Sequence, residues 1–198
     1  KYKYIFTEYN IRRKLFSNIP FCLCVLQVST DTQVTQACQF NSIEEFITEV
    51  VGSFAGFAPK DKRLFIKHHP RDRGYNNYNA HIRSLVQRYG LQDRVFYFHD
   101  SPMGMILRRP NCYGVVLINS TVGYQTLFHS VPLKALGIAP YNIEGLADQK
   151  PLDSFWTEPK SADRDLFFRF YNHVISTTQI EGDFDGNFPF KDFFALSD

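Results

Sequence analysis

Two short stretches of the chain carry residue types suited to holding an anion. The first is Lys67-His68-His69-Pro70-Arg71-Asp72-Arg73-Gly74, in which two histidines and two arginines crowd around one proline. An imidazole N–H and guanidinium groups can make charge-assisted hydrogen bonds to phosphate oxygens. Successive strand residues point to opposite faces, so His68 and His69 cannot both enter one site while a strand persists. Pro70 lacks an N–H and has a fixed φ, so it ends the strand and can turn His69 toward a crevice. The alternative is a solvated basic turn above a buried His68. The second stretch is Asn119-Ser120-Thr121-Val122-Gly123. It places two hydroxyls where a strand hands over to a helix, with unpaired N–H groups and a partial positive charge. Gly123 permits close backbone approach. Either hydroxyl alone reads equally well as a helix N-cap. Neither stretch is a Walker A loop or a GxGxxG turn.

The elements that must position these stretches follow from hydrophobic periodicity. Short apolar runs predict strands over 21–27, 63–70, 94–100, 113–119 and 132–137. Helical spacing runs from 43 to 54 behind a Ser42/Glu45 capping box, and from 77 to 90 with Gly90 as the C′ residue. Shorter helices are expected over 102–109 and 121–130, and an acidic-aromatic one over 161–177. Strands alternating with helices at this pitch predict βαβ units and an α/β fold, a Rossmann-like doubly wound parallel sheet. Residues 1–20 then form a linker or an arriving helix, 21–180 the lobe, and 181–198 a Phe-rich tail. Ligands of such sheets sit at the carboxyl ends of the strands, which marks segments 27–33, 67–74, 99–101, 119–125 and 137–146.

Composition narrows the function. Lys and Arg number 22 against 20 Asp and Glu, and a net charge of +2 argues against nucleic acid as a partner. With 44% hydrophobic and 21% charged residues the 198-residue chain is globular rather than disordered. Its longest apolar run, 21–26, is far short of the ~20 residues a membrane helix needs. Cys22, Cys24, Cys38 and Cys112 form no CxxC pair and are expected to be reduced, buried thiols of a cytosolic protein. Lys1 is not an initiator Met, so the chain is expected to be part of something longer. A metal site from His68, His69, His99 and Asp100 is the weaker alternative. The His-Asp dyad of metal phosphohydrolases normally lies on helices, whereas His99-Asp100 follows a strand-like run. The basic, aromatic opening 1–20 reads either as a surface for anionic lipid or as a linker.

The runs KHHPRDRGYNNY, FHD, INSTVGYQTL, PLKALGIAPYNIEGL and LDSFW occur in an order that resembles capsule polysaccharide biosynthesis and export proteins of the KpsS (LipB) type. The similarity covers about residues 21–180. The resemblance implies a β-Kdo transferase of GT-B architecture, built from two Rossmann-like lobes, of which this chain is the C-terminal, donor-binding one. It implies CMP-Kdo as donor, a phosphatidylglycerol-type lipid acceptor at the cytoplasmic face of the inner membrane, other capsule assembly and export proteins as partners, and no metal or cofactor. By the same resemblance His69, Pro70, Ser120 and Thr121 hold the CMP phosphate, with Arg71 and Arg73 beside them. The segment bearing Gly137, Tyr141 and Gly145 lines the nucleoside pocket. Family members are about twice this length and carry catalytic carboxylates on the other lobe. In this chain Asp31, after the first strand, is the local acid/base candidate, and it reads equally as a turn-forming Asp. A non-catalytic scaffold module of the capsule export complex is the alternative from a different class.

Overall fold

The computed structural model describes residues 2–28, 39–72 and 74–178. Asp31, Arg73, Cys38 and the tail 181–198 lie outside the described residues. The chain divides after Asp163 into two units. In the first, helix α1 (Tyr2–Leu15) leads into strand β1 (Phe21–Val25), followed by α2 (Ile43–Phe57), β2 (Arg63–Lys67), a 3-10 turn (Pro70–Asp72), α3 (Asn79–Arg88), β3 (Val95–Phe98), α4 (Met103–Leu107), β4 (Cys112–Leu117), α5 (Val122–Phe128), β5 (Leu133–Ala135) and α6 (Leu152–Phe155). In the second, α7 (Arg164–Thr178) brings Phe167 against Phe168 and Tyr171.

All strand pairs are parallel and the order is β3-β2-β1-β4-β5, which is the doubly wound sheet expected from the alternating elements. The chain steps outward from β1 through β2 to β3, then returns to the other side of β1 for β4 and β5. The crevice of such a sheet opens where that direction reverses, above the carboxyl ends of β1 and β4.

Strand alternation sorts the core into two layers. Cys22, Cys24, Leu64, Ile66, Val95, Tyr97 and Val116 share one cluster with Phe46, Val50 and Phe54 of α2, Ile82 and Leu85 of α3, and Leu152 and Phe155 of α6. The opposite face carries an aromatic stack in which Phe65 meets Phe21 at 5.4 Å and Phe96 at 5.1 Å. Burial pushes the Cys22 thiol up to about 12 and raises Cys24 and Cys112 as well, so all three stay protonated packing groups.

Helix ends follow the local signals. Ser42 Oγ accepts from Glu45 N at 3.1 Å, as a capping box requires. The Glu45 carboxylate reaches one residue beyond the N-cap, accepting from Asn41 N at 2.7 Å, and those bonds lower its pKa. Gly90, at φ +65, closes α3: its N–H donates to Gln87 O and that of Leu91 to Val86 O, a complete Schellman motif. Each strand is shorter than the run that predicts it, and α6 is an element the sequence does not announce. The strand expected to run to Pro70 stops at Lys67, because Pro70 starts the 3-10 turn. Helix α6 has four residues, too few to show a periodicity, and is held by tertiary bonds: Trp156 Nε1 donates to Ser53 Oγ (2.7 Å), which donates to Asp153 Oδ1 (2.6 Å).

Two glycines are expected to respond oppositely to a methyl group. A Cβ on Gly114 in β4 would stand 2.7 Å from Phe155 Cζ, inside the buried cluster, so Gly114→Ala should destabilise by about 1–3 kcal/mol. Gly56, exposed in α2, has nothing within 4 Å of the same position, and Gly56→Ala should stabilise by roughly 0.5–1 kcal/mol. Urea midpoints at constant slope check both signs.

Candidate functional site

The loop after β2 separates its two histidines as strand geometry demands. His68 continues the alternation onto the Cys24 side and is 1% exposed. Its Nδ1 shares a 2.6 Å hydrogen bond with Tyr97 Oη, and its ring stands 4.5 Å from that of His99. His69 is half-buried, and its Nδ1 accepts from Arg71 N at 3.2 Å. A neutral imidazole that accepts at Nδ1 carries its proton on Nε2. Arg71 is exposed. Asp72, which its setting in a basic turn did not single out, organises the loop from within. Its carboxylate accepts from Tyr78 Oη (2.9 Å) and Asn76 Nδ2 (2.9 Å), while its own N–H donates to His69 O (3.1 Å). Burial, then Asp72, raises the Tyr78 pKa and keeps the phenol a donor. Gly74, at φ +83, supplies the left-handed residue that turns the chain toward α3.

The loop after β4 is built on amide and phenol contacts. Gln27, just past β1, donates through Nε2 to Asn119 Oδ1 (2.7 Å) and accepts at Oε1 from Asn119 N (2.9 Å). This two-bond clasp bridges β1 and β4 where the sheet reverses direction. The sequence marks both residues only as members of post-strand segments, because a pairing across 92 positions leaves no local pattern. Ser120 Oγ accepts from Val122 N at 3.3 Å, Thr121 is exposed, and both precede the seven-residue helix α5. Thr121, the N-cap residue, makes no side-chain cap bond; Ser120 accepts from Val122 N and keeps its O–H as a donor.

Tyr141 has a different place from the pocket lining expected of it. It is 1% exposed, its hydroxyl donates to Ser120 O, and its ring lies so close over Gly123 that a Cβ there would fall 2.3 Å from Tyr141 Cζ. The close approach that Gly123 allows is therefore to this ring, and Tyr141 acts on the loop from below. Gly137 is buried and extends the sheet pairing by donating to Ile118 O at 3.0 Å. Gly145, at φ +84, turns the chain, and its carbonyl accepts from Asp163 N at 2.7 Å.

The His69 loop follows β2 and the Ser120 loop follows β4, so the two flank the end of β1, their common neighbour in the sheet. Among the described residues, exposed or half-buried polar side chains of these two loops include His69, Arg71, Ser120 and Thr121. Among the described residues no three His, Cys, Asp or Glu side chains are grouped to hold a metal ion. The Asp100 N–H instead points to Glu8 of α1, which also accepts from His99 N at 3.1 Å.

Residues 5–185 match the family model of capsule polysaccharide biosynthesis proteins. The capsule polysaccharide modification protein LipB of Neisseria meningitidis serogroup A is 41% identical over 165 residues, covering 83% of this chain and 39% of that protein. The capsule polysaccharide export protein KpsS of Escherichia coli is 39% identical over 182 residues, covering 91% and 46%. The chain therefore spans less than half the length of these relatives. Among solved structures, the β-Kdo 2,7 transferase KpsC of Thermosulfurimonas dismutans is similar with a TM-score of 0.48 at 14% identity, over 85% of this chain and 62% of that one. HepE of Anabaena, in complex with UDP and glucose, has a TM-score of 0.46 at 14% identity, over 88% and 44%.

The wedge beneath the loop can be tested by stability. Gly123→Ala should cost about 1–3 kcal/mol, because the buried Tyr141 ring has to shift. Tyr141→Phe keeps the ring and loses one hydrogen bond, for about 1 kcal/mol. Denaturant midpoints that rank the two variants the other way would remove the wedge.

Proposed function

The chain belongs to the capsule polysaccharide biosynthesis proteins, and from that premise we propose that it is the donor-binding lobe of a GT-B β-Kdo transferase. In this reading it holds CMP-Kdo for transfer to a phosphatidylglycerol-type lipid at the cytoplasmic face of the inner membrane. The observation that carries the reading is the pair of donor-bearing loops on either side of β1. A CMP-sugar has one phosphate, and the bond to break joins the sugar's anomeric carbon to a phosphate oxygen. As that bond breaks its electron pair stays with the phosphate, and negative charge grows on the oxygens. The Nε2–H of His69 and the hydroxyls of Ser120 and Thr121 are the donors suited to that charge, with Arg71, and by resemblance Arg73, adding cationic field. A monophosphate leaving group stabilised in this way needs no metal. The acceptor hydroxyl attacks the anomeric carbon and passes its proton to a base. The family places such carboxylates on the other lobe, and Asp31 is the proposed local contributor. Gly137 and Gly145 lie on the segment proposed to shape the nucleoside side of the pocket. The membrane association is proposed to be peripheral; among the described residues no helix is long and apolar enough to cross a membrane.

A second reading takes its support from the relative described as an export protein: a scaffold module of the capsule assembly and export complex. Nucleotide binding separates the two. CMP at 100 times its dissociation constant should add about 2.7 kcal/mol to the native state. Each kcal/mol raises the melting temperature of a chain this size by roughly 2–4 °C. The expected result is a shift of several degrees with CMP, a smaller one with AMP, and none altered by EDTA. No shift with any cytidine nucleotide selects the scaffold.

The site assignment has its own test. His69→Ala and Ser120→Ala should each weaken CMP binding by on the order of 1–3 kcal/mol while leaving the melting temperature of the free protein nearly unchanged. Two variants that bind CMP like the parent would reject the assignment.

A further inference from the structure

The amino edge of the sheet carries a second group of cations, one that the donor reading leaves unused. A cavity of about 500 Å³ lies where the end of α1 meets the start of β2, lined by Asn10, Arg13, Lys14, Ser17, Ile19 and Arg63. No carboxylate lines it, and among the described residues none of its three cations is in a salt bridge. Lys14 and Arg63 come from different elements yet lie over the same Phe96 ring, with Nζ 4.4 Å and the guanidinium carbon 5.8 Å from its centroid. Arg63 also donates to Ser17 Oγ at 3.2 Å, which fixes its direction. Two like charges gathered at one ring repel each other, and an anion between them turns that repulsion into attraction.

Cations in the last turn of a helix ordinarily serve its negative end. Here neighbouring donors cover the backbone just past α1. Arg109 donates to Phe16 O (3.0 Å) and Ser17 O (3.2 Å), and Asn111 donates to Ser17 O (2.8 Å) and Ile19 O (2.7 Å). Arg63, moreover, belongs to the sheet and not to the helix. We infer that this cavity is a binding site for a phosphate ester, separate from the candidate donor site at the other end of the strands. The Ser17 hydroxyl is committed to Lys14 O at 2.7 Å, and two guanidinium forks, an ammonium and an amide remain to match a tetrahedral anion of up to two charges. The half-buried Ile19 offers the organic part of the ester an apolar wall, and Tyr9, 60% exposed, lies one turn from Arg13 on the same helix face.

A soluble ester and a phospholipid headgroup share this chemistry, and two probes distinguish them. Binding of glycerol 3-phosphate is measured by calorimetry. Binding of vesicles made of equal parts phosphatidylcholine and phosphatidylserine is measured by co-sedimentation. The chain is expected to bind at least one probe, with Lys14→Gln and Arg63→Gln each weakening it by about tenfold, the loss of one charge-assisted bond. Arg88→Gln, which removes the same charge from the exposed end of α3, should leave binding unchanged. Saturable glycerol 3-phosphate binding identifies a soluble ester, and vesicle binding alone identifies a headgroup. Should Arg63→Gln lose its far-ultraviolet dichroism, the half-exposed Lys14→Gln decides the question. The inference is overturned if neither probe binds, or if Arg88→Gln weakens binding as much as Lys14→Gln does. Because His69→Ala tests the donor site separately, failure here leaves that reading untouched.

Discussion

β1 is hydrogen-bonded along both sides, to β2 and to β4, and all five of its side chains are buried. A strand with no free edge and no solvated face accepts only compact apolar residues, and Phe-Cys-Leu-Cys-Val meets that condition. The other strands of the first unit take their positions from this strand. Its odd residues join the aromatic stack, its even ones enter the α2 and α3 layer, and its carboxyl end becomes the floor of the crevice. A polar substitution within β1 would leave a buried group without a partner in the one element that every other strand references.

The candidate donor site is a thin layer of exposed groups held by a buried polar layer beneath. Asp72 collects Tyr78, Asn76 and the backbone under His69. Tyr141 grips Ser120 O, and Gln27 clasps Asn119. None of these supporting side chains needs to touch a ligand. Their value is that loops which are otherwise free to move arrive with their donors already oriented, so less ordering entropy is lost on binding.

Charge is distributed unevenly between the two ends of the strands. At the carboxyl end, Arg71 and the hydroxyls of Ser120 and Thr121 stand on loops around the reversal point of the sheet. At the amino end, Arg63 and the last turn of α1 gather cations over Phe96. A chain with a net charge of +2 thus gathers cations at one end of its strands without being a basic protein.

The five strands and the helices that alternate with them were legible in the sequence because each carries its own periodicity, whereas the four-residue α6 was not. Ser42 with Glu45 and Gly90 marked helix ends by local bonding alone. The division of labour between His68 and His69 also followed from strand alternation and one proline. Tertiary structure decided what depended on distant partners. Pairing across 92 positions made Gln27 and Asn119 a clasp, and the absence of a side chain on Gly123 admitted the Tyr141 ring. Convergence of α1 with β2 grouped Arg13, Lys14 and Arg63 around one cavity. Hydrophobic period and backbone chemistry act between near neighbours and can be read from a string. Contacts between remote residues arise only after the sheet has brought its strands together.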